Sequence, residues 1–268
     1  MVLIKIGGGA EINLDAICRD VFELQKTEQL LIVHGASVKR DEIADKLGFP
    51  TKTVISPSGI SSVFTDEKAM DIFLMVYAGL TNKKIVATLQ KYGVNAVGLS
   101  GVDGKLFVAK AKKDIFVKEG EKTKLMKGNL TGRVEQINTD LLTIMLEHQY
   151  VPVLCPPAIS YENEIVNTDN DSIVAMIAGA LKINKIISLF EAKGLLKDFK
   201  NPDSVISKIS LQELDEMMQY GQGRMKKKLL GAKKALELGV NKVYWGDGRI
   251  ERPVFSALEG NGTVIKNY

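Results

Sequence analysis

The sequence predicts an α/β fold, an open αβα sandwich with a mainly parallel central sheet. Short apolar runs, each long enough for one buried strand, alternate with amphipathic stretches along the chain. That alternation suits a parallel sheet covered by helices on both faces. Several runs stop at glycines or small polar residues, as strands do at the ligand-binding edge of such a sheet.

Val2-Leu3-Ile4-Lys5-Ile6 reads as the first strand and meets Gly7, Gly8 and Gly9 at once. Leu14, Ile17, Val21 and Leu24 then recur at helical spacing. Leu30-Leu31-Ile32-Val33 is a second buried strand, ending at His34-Gly35-Ala36-Ser37. Glu67 to Leu89 reads as a helix, with Met70, Phe73, Leu74, Val76, Tyr77 and Leu80 inward. Asn95 to Leu99 is a strand. Phe107 to Arg133 is lysine-rich and strand-like in short pieces, which fits hairpins at a sheet edge. Thr139 to Glu147 is helical and Val151 to Leu154 a strand. After strand-like Glu164-Ile165-Val166 comes a helix over residues 172–182, then a strand, Lys185 to Leu189. Leu211 to Gln219 and Met225 to Leu238 read as helices; Lys242 to Trp245 and Gly262 to Ile265 close the chain as strands. A weak boundary near Asn163 divides an N-terminal lobe, residues 1–163, from a C-terminal lobe, residues 164–268, within one continuous fold.

The 268 residues are 45% hydrophobic and 25% charged, which supports a large core. A net charge of +4 is too mild for a nucleic-acid binder and suits an acidic partner or anionic substrates. Cys18 and Cys155 lie far apart with no zinc or redox spacing, so a reducing cytoplasm is expected. No apolar run approaches a membrane span and no signal peptide is visible.

The richest chemistry lies in Asn167-Thr168-Asp169-Asn170-Asp171, between a strand-like run and an apolar helix. A helix start offers free N–H groups and a positive dipole end to an anion. Capping alone explains one polar residue there, but four in five less well. Lys5 followed by three glycines brings a cation and a close-approaching backbone, although a surface lysine and a flexible turn fit as well. His34-Gly35-Ala36-Ser37 presents small residues that suit amide donation or an ordinary strand-to-helix turn; His34 fits a structural hydrogen-bonding role better than that of a base. Arg224, Lys226, Lys227 and Lys228 crowd a helix start, where the dipole disfavours cations unless an anion joins them. A solvated basic face is the plainer reading of such a run.

Together these elements resemble the amino acid kinase family, most nearly its N-acetylglutamate kinase branch. Lys5-Ile6-Gly7-Gly8 is similar to its first motif and His34-Gly35-Ala36 to its second. Asn167-x-Asp169-x-Asp171 resembles its Asn-x-Asn/Asp-x-Asp element, and Met225-x-x-Lys228 its Gly-Met-x-x-Lys element. Residues 96–104, Thr131-Gly132-Arg133-Val134-Glu135 and Gly246-Asp247-Gly248-Arg249 with Gly262-Thr263-Val264 narrow the likeness. They resemble kinases that act on 2-aminoadipate or glutamate held by an amino-group carrier protein in lysine and arginine synthesis.

The resemblance implies the amino acid kinase fold and ATP-dependent phosphorylation of a side-chain carboxylate to an acyl phosphate. Lys5 and Lys228 would neutralise the transferring phosphoryl group, and Asp171 would orient both lysines. Backbone amides of Gly7, Gly8 and Gly35 would bind phosphoryl oxygens, with Gly194 and Met225 on the nucleotide. Gly35, Ala36, Val63 and Asn167 fall at acceptor-binding positions. Mg2+ would bridge the nucleotide phosphates without protein metal ligands. No general base is needed, because the acceptor carboxylate is already ionised. The likeness further implies a homodimer and an acidic carrier protein, contacted by the Lys110 to Arg133 region.

Three motifs depart from the family pattern. Ala36 and Ser37 replace glycines after the histidine, and Phe190-Glu191-Ala192-Lys193-Gly194 replaces Thr/Ser-Asp-Val-x-Gly. Val63 stands where an arginine would grip the acceptor's α-carboxylate; Lys39, Arg40 and Lys68 are the candidate substitutes. The rival expectations are a kinase of free N-acetylglutamate and a catalytically silent, nucleotide-binding regulatory protein.

Overall fold

A computed structural model describes residues 1–120, 122–221 and 223–267. The first strand, β1 (Val2–Ile6), leads through a glycine turn to α1 (Leu14–Leu24), which Asn13 caps by accepting from Ala16 N–H. Strand β2 (Leu30–His34) leads to α2 (Ser37–Lys46), and a small hairpin follows, β3 (Thr53–Ile55) with β4 (Ser61–Val63). Next come α3 (Glu67–Phe73), a π-helical segment Leu74–Thr81, and α4 (Asn82–Lys91), continuous as one 25-residue helix. Strands β5 (Ala96–Gly101), β6 (Phe107–Lys112), β7 (Ile115–Glu119), β8 (Lys122–Met126) and β9 (Thr131–Ile137) precede α5 (Thr139–Glu147). Strand β10 (Val151–Ser160), β11 (Ile165–Val166), α6 (Asn170–Ala180) and β12 (Lys185–Phe190) form the centre of the sequence. The chain ends with β13 (Lys208–Ser210), α7 (Leu214–Met217), α8 (Arg224–Glu237), β14 (Lys242–Asp247), α9 (Pro253–Leu258) and β15 (Thr263–Lys266).

Among the described residues an eleven-stranded sheet runs β13-β15-β14-β12-β1-β2-β10-β6-β9, with β5 and β11 also paired to β10. Its centre is parallel; β15 on β14, β9 on β6 and β11 on β10 are antiparallel. Strand β1 shows why the parallel strands are apolar throughout. Leu3 points to a core shared with α5, α6 and α8, while Val2, Ile4 and Ile6 point to one shared with α1, α4 and α9. A strand buried on both faces cannot alternate apolar with polar residues. A third apolar cluster joins Ala36, Ala44, Met70, Phe73, Val76, Tyr77 and Cys155 beneath the N-terminal half.

The structure adds α2, the β3–β4 hairpin, β13 and α9 to the elements expected. Helix α2 is polar, with only Arg40 and Ala44 buried, so it has no apolar stripe to read. Strand β10 continues past Leu154 to Ser160, through prolines that read as a stop. Its first half pairs with β2 and β5, its second with β6 and β11. The 25-residue helix is long and apolar enough to cross a membrane by length and composition, contrary to the expectation that no run approaches a span. Its Met70, Ile72, Phe73, Val76, Tyr77, Ile85 and Leu89 are buried within the protein.

Candidate functional site

Period two in β1 puts Lys5 on the Leu3 face, beneath α6 and α8. Those helices cross closely at Gly231, where a Cβ would lie 2.8 Å from the Asp171 Cβ. That approach sets Lys228, one turn earlier on α8, beside Asp171. Lys5 Nζ donates to Asp171 Oδ1, and Lys5 is only 4% exposed. Lys228 Nζ rests 4.7 Å from the Phe190 ring centroid. Burial alone would raise the Asp171 carboxyl, but the Lys5, Lys228 and Lys227 ammonium groups together hold it below its ordinary value. Burial and then repulsion from Lys5 push Lys228 down to about 8, with Asp171 opposing. The three side chains form a desolvated cluster with one more positive than negative charge, which an anion would complete.

Each carboxamide or carboxylate of the 167–171 segment has its own task. Asn167 Nδ2 donates to Thr65 Oγ1 (3.0 Å), which donates on to Val63 O (3.3 Å). Asp169 caps α6 by accepting from Ser172 N–H (2.9 Å) and lies 3.9 Å from Lys227 Nζ. Asn170 Nδ2 donates to His34 O (2.9 Å), fastening α6 to the end of β2. Asp171 takes Lys5. Capping thus accounts for one residue of the four.

The glycine turn after β1 lies against the turn after β2. A Cβ on Gly8 would meet Ser37 N at 2.5 Å and Ala36 N at 2.7 Å, so only glycine fits. Val38 N–H donates to Gly8 O (3.0 Å). The amides differ from expectation. Gly7 N–H is taken by Leu189 O and Gly35 N–H by Ile6 O, both at 2.8 Å. Sheet edges continue one residue past the strands, so those two donors are occupied, whereas Gly8 N–H has no acceptor among the described residues. Buried His34 is pushed down to about 4 by burial and is neutral. Its Nδ1 faces Gly35 O (3.3 Å) and its Nε2 faces Asn82 Nδ2 (3.1 Å), an arrangement that leaves no role as a base.

A cavity of about 760 Å³ opens beside this cluster, lined by Gly194, Leu196, Phe199, Tyr220, Met225 and Arg249 among others. Gly194 is required by packing, since a Cβ would lie 2.4 Å from Thr263 Oγ1. Glu191 accepts from Glu11 N–H (2.7 Å) and covers Gly9, tying the cavity wall to the glycine turn. On the other side, Ala36 is buried beside Tyr77, whose ring stacks on Phe73 at 4.0 Å. Val63 is half-buried on the β3–β4 hairpin.

The structure therefore brings Lys5, Asp171, Lys228, Gly8 and Gly35 together, with Gly194 and Met225 in the cavity. Ala36 adjoins the glycine turn, and Asn167 and Val63 are linked through Thr65. Sequence reasoning passed over Phe190 as the cation's aromatic partner and Arg224, whose Nη1 donates to Ser37 Oγ (3.2 Å) across the site. Arg224 lay within the basic run; nothing in the sequence singled it out.

A model of the amino acid kinase family matches residues 1–244. A [LysW]-aminoadipate kinase of Deinococcus radiodurans is 44% identical over 99% of this chain and 91% of its own length. A [LysW]-aminoadipate kinase of Thermus thermophilus is 42% identical over 99% of this chain and all of its own. The solved structure of an N-acetylglutamate synthase from Neisseria gonorrhoeae superposes with a TM-score of 0.79 at 22% identity. It covers 100% of this chain and 59% of that one, and the likeness is one of fold.

Proposed function

The chain belongs to the amino acid kinase family and is a phosphotransferase, and from that premise we propose that it phosphorylates the side-chain carboxylate of 2-aminoadipate, or glutamate, borne on an acidic amino-group carrier protein. The observation that carries the reading is the Lys5–Asp171–Lys228 cluster at the junction of two glycine turns. An acceptor carboxylate oxygen attacks the γ-phosphorus of ATP. The bond from that phosphorus to the bridging oxygen breaks, and ADP leaves with the electron pair. No proton moves, so the protein needs only to position and neutralise. Lys5 and Lys228 face the transferring group, Asp171 fixes Lys5 and balances Lys228, and Gly8 N–H donates to a phosphoryl oxygen. Met225 and Gly194 border the nucleotide, while Asn167 holds the acceptor side. Mg2+ bound with the nucleotide would supply further charge neutralisation, with no carboxylate of the site needed to hold it. This fits the site because Asp171 and Asp169 are already engaged by Lys5 and Lys227. The homodimer, the cytoplasmic location and a share in arginine synthesis belong to the same proposal.

The proposed docking surface for the carrier is the Lys110 to Arg133 region, within β6 to β9. The β7–β8 hairpin pairs exposed Phe116 with exposed Leu125 between lysines, an apolar contact in a basic rim. Charge reversal at Lys112, Lys113, Lys122 and Lys124 should raise the KM for the carrier-linked acceptor about 100-fold at low salt. ADP affinity should not change; an unchanged KM would remove this surface.

Acyl-phosphate formation, trapped with hydroxylamine, tests the reaction with carrier-linked aminoadipate, carrier-linked glutamate and free N-acetylglutamate side by side. Hydroxamate from a carrier-linked acid alone supports the reading. Product from the free acetylated acid alone moves the assignment to that substrate, and nucleotide binding without any product leaves a silent regulatory protein.

A further inference from the structure

We propose that Arg40 holds the acceptor's second carboxylate, the one that is not phosphorylated, in place of an arginine at position 63. The inference deepens the carrier-linked reading and rests on it. An amino-dicarboxylic acid joined to a carrier through its amino group brings two carboxylates. One goes to Lys5 and Lys228; the other remains charged at a partly desolvated site and needs a counter-charge. Val63 offers no cation, and its carbonyl already accepts from Thr65.

Three cations were candidates, and the structure separates them. Lys39 is exposed and paired with Glu42 at 2.8 Å. Lys68 sits 4.4 Å from the ring centroid of Phe49. Arg40 is buried, 7% exposed, at the start of α2, four residues beyond Ala36. A hydrogen-bonded chain leads from it to the Val63 hairpin. Its Nε (3.0 Å) and Nη2 (2.6 Å) both donate to Asp41 Oδ1, which also accepts from Thr51 Oγ1 (2.6 Å). Thr51 adjoins Lys52, whose carbonyl accepts from Phe64 N–H (2.8 Å), next to Val63. Asp41 thus ties the guanidinium to the segment that leads into the β3–β4 hairpin carrying position 63.

The guanidinium is under-used in that anchorage. Both bonded nitrogens share a single carboxylate oxygen, and Nη1 has no protein partner among the described residues, yet it is not sealed from solvent. With Asp41 on Nε and Nη2, the edge between the two terminal nitrogens is the one left to meet a second carboxylate. Tyr77, in the same cluster as Ala36, lies within the field of Arg40.

The test compares carrier-linked aminoadipate with the same conjugate bearing an α-carboxamide. The wild-type protein should favour the carboxylate about 100-fold in kcat/KM, mostly through KM. Arg40→Gln should lose that preference, bringing the ratio near one, with the KM for ATP unchanged. Adding Val63→Arg should restore it. A structural role alone would slow both conjugates alike and preserve the ratio; that result overturns the assignment. Should Arg40→Gln fail to bind ADP, Arg40→Lys serves, with an intermediate ratio expected and a wild-type ratio overturning. Turnover of free N-acetylglutamate without the carrier conjugates would sink the carrier reading, while the ratio measured on that acid and its α-carboxamide would still decide Arg40. No turnover of any acceptor would overturn both.

Discussion

Replacing Lys228 with alanine is expected to lower kcat about 1,000-fold while ADP binds as before. The magnitude follows from removing one preorganised positive group from a desolvated site of charge transfer. ADP binding persists because Leu196, Phe199, Tyr220 and Met225 line a cavity that does not need the ammonium group. Stability should hold or rise slightly. The variant loses the contact with Phe190, but it also loses a buried like-charge repulsion with Lys5. Single-turnover hydroxamate formation, ADP titration and thermal unfolding check the three statements; a kcat within tenfold of wild type would remove Lys228 from the mechanism. The wild-type pH profile bears on the same group. With Lys228 pushed down to about 8, kcat/KM for ATP should fall as pH rises past that value, because the free enzyme loses the ammonium. The corresponding fall in kcat should lie at higher pH, since bound phosphates favour the charged form.

Replacing Asp171 with asparagine should be costly in both activity and stability. The carboxylate is the anion set between the two site ammoniums, and its loss leaves Lys5 and Lys228 buried without compensation. Removing one partner of such a set destabilises by about 3 kcal/mol. The rate should fall about 1,000-fold as Lys5 loses its anchor. The pH dependence has a definite sign. In the wild type the Asp171 carboxyl is depressed, so its contribution is present above the unfolded carboxyl pKa and is lost as pH falls through the folded value. In the variant Lys228, already pushed down by burial, loses the carboxylate that opposes the shift, so between its folded and unfolded pKa values the unfolded state holds more protons. Stability therefore recovers as pH rises through that window. Urea titrations of both proteins across neutral to alkaline pH measure this; parallel curves would show that Asp171 does not balance the lysines.

The parts of the fold legible in the sequence were those whose burial leaves a pattern. Val2–Ile6, Leu30–His34 and Lys185–Phe190 are buried on both faces and read as apolar runs. Helix α2 carries a polar face and the β3–β4 hairpin is half exposed, so neither imposes a period. Motif order placed Lys5, Asp171 and Lys228 on separate elements, but their convergence depends on Gly231 at a helix crossing, a residue unremarkable in the sequence. The occupied amides of Gly7 and Gly35 were equally hidden, because their acceptors are carbonyls of Leu189 and Ile6. Arg40 was visible as a cation, whereas its burial and its bond to Asp41 depend on the packed structure.

The place of β1 in the sheet also bears on how the protein is born. Val2 pairs with Leu30 on one side and with Lys185 on the other. The first partner leaves the ribosome almost with β1, whereas the second follows only after most of the chain has been made. At about 5–20 residues per second, β1 therefore waits roughly ten to forty seconds with one apolar edge unpaired. Lys5 waits with it, since Asp171 belongs to the same late portion. A nascent chain interrupted in that interval presents an open strand edge and a cation whose carboxylate partner is not yet made, and the first half of this protein depends on the second for closure as much as for chemistry.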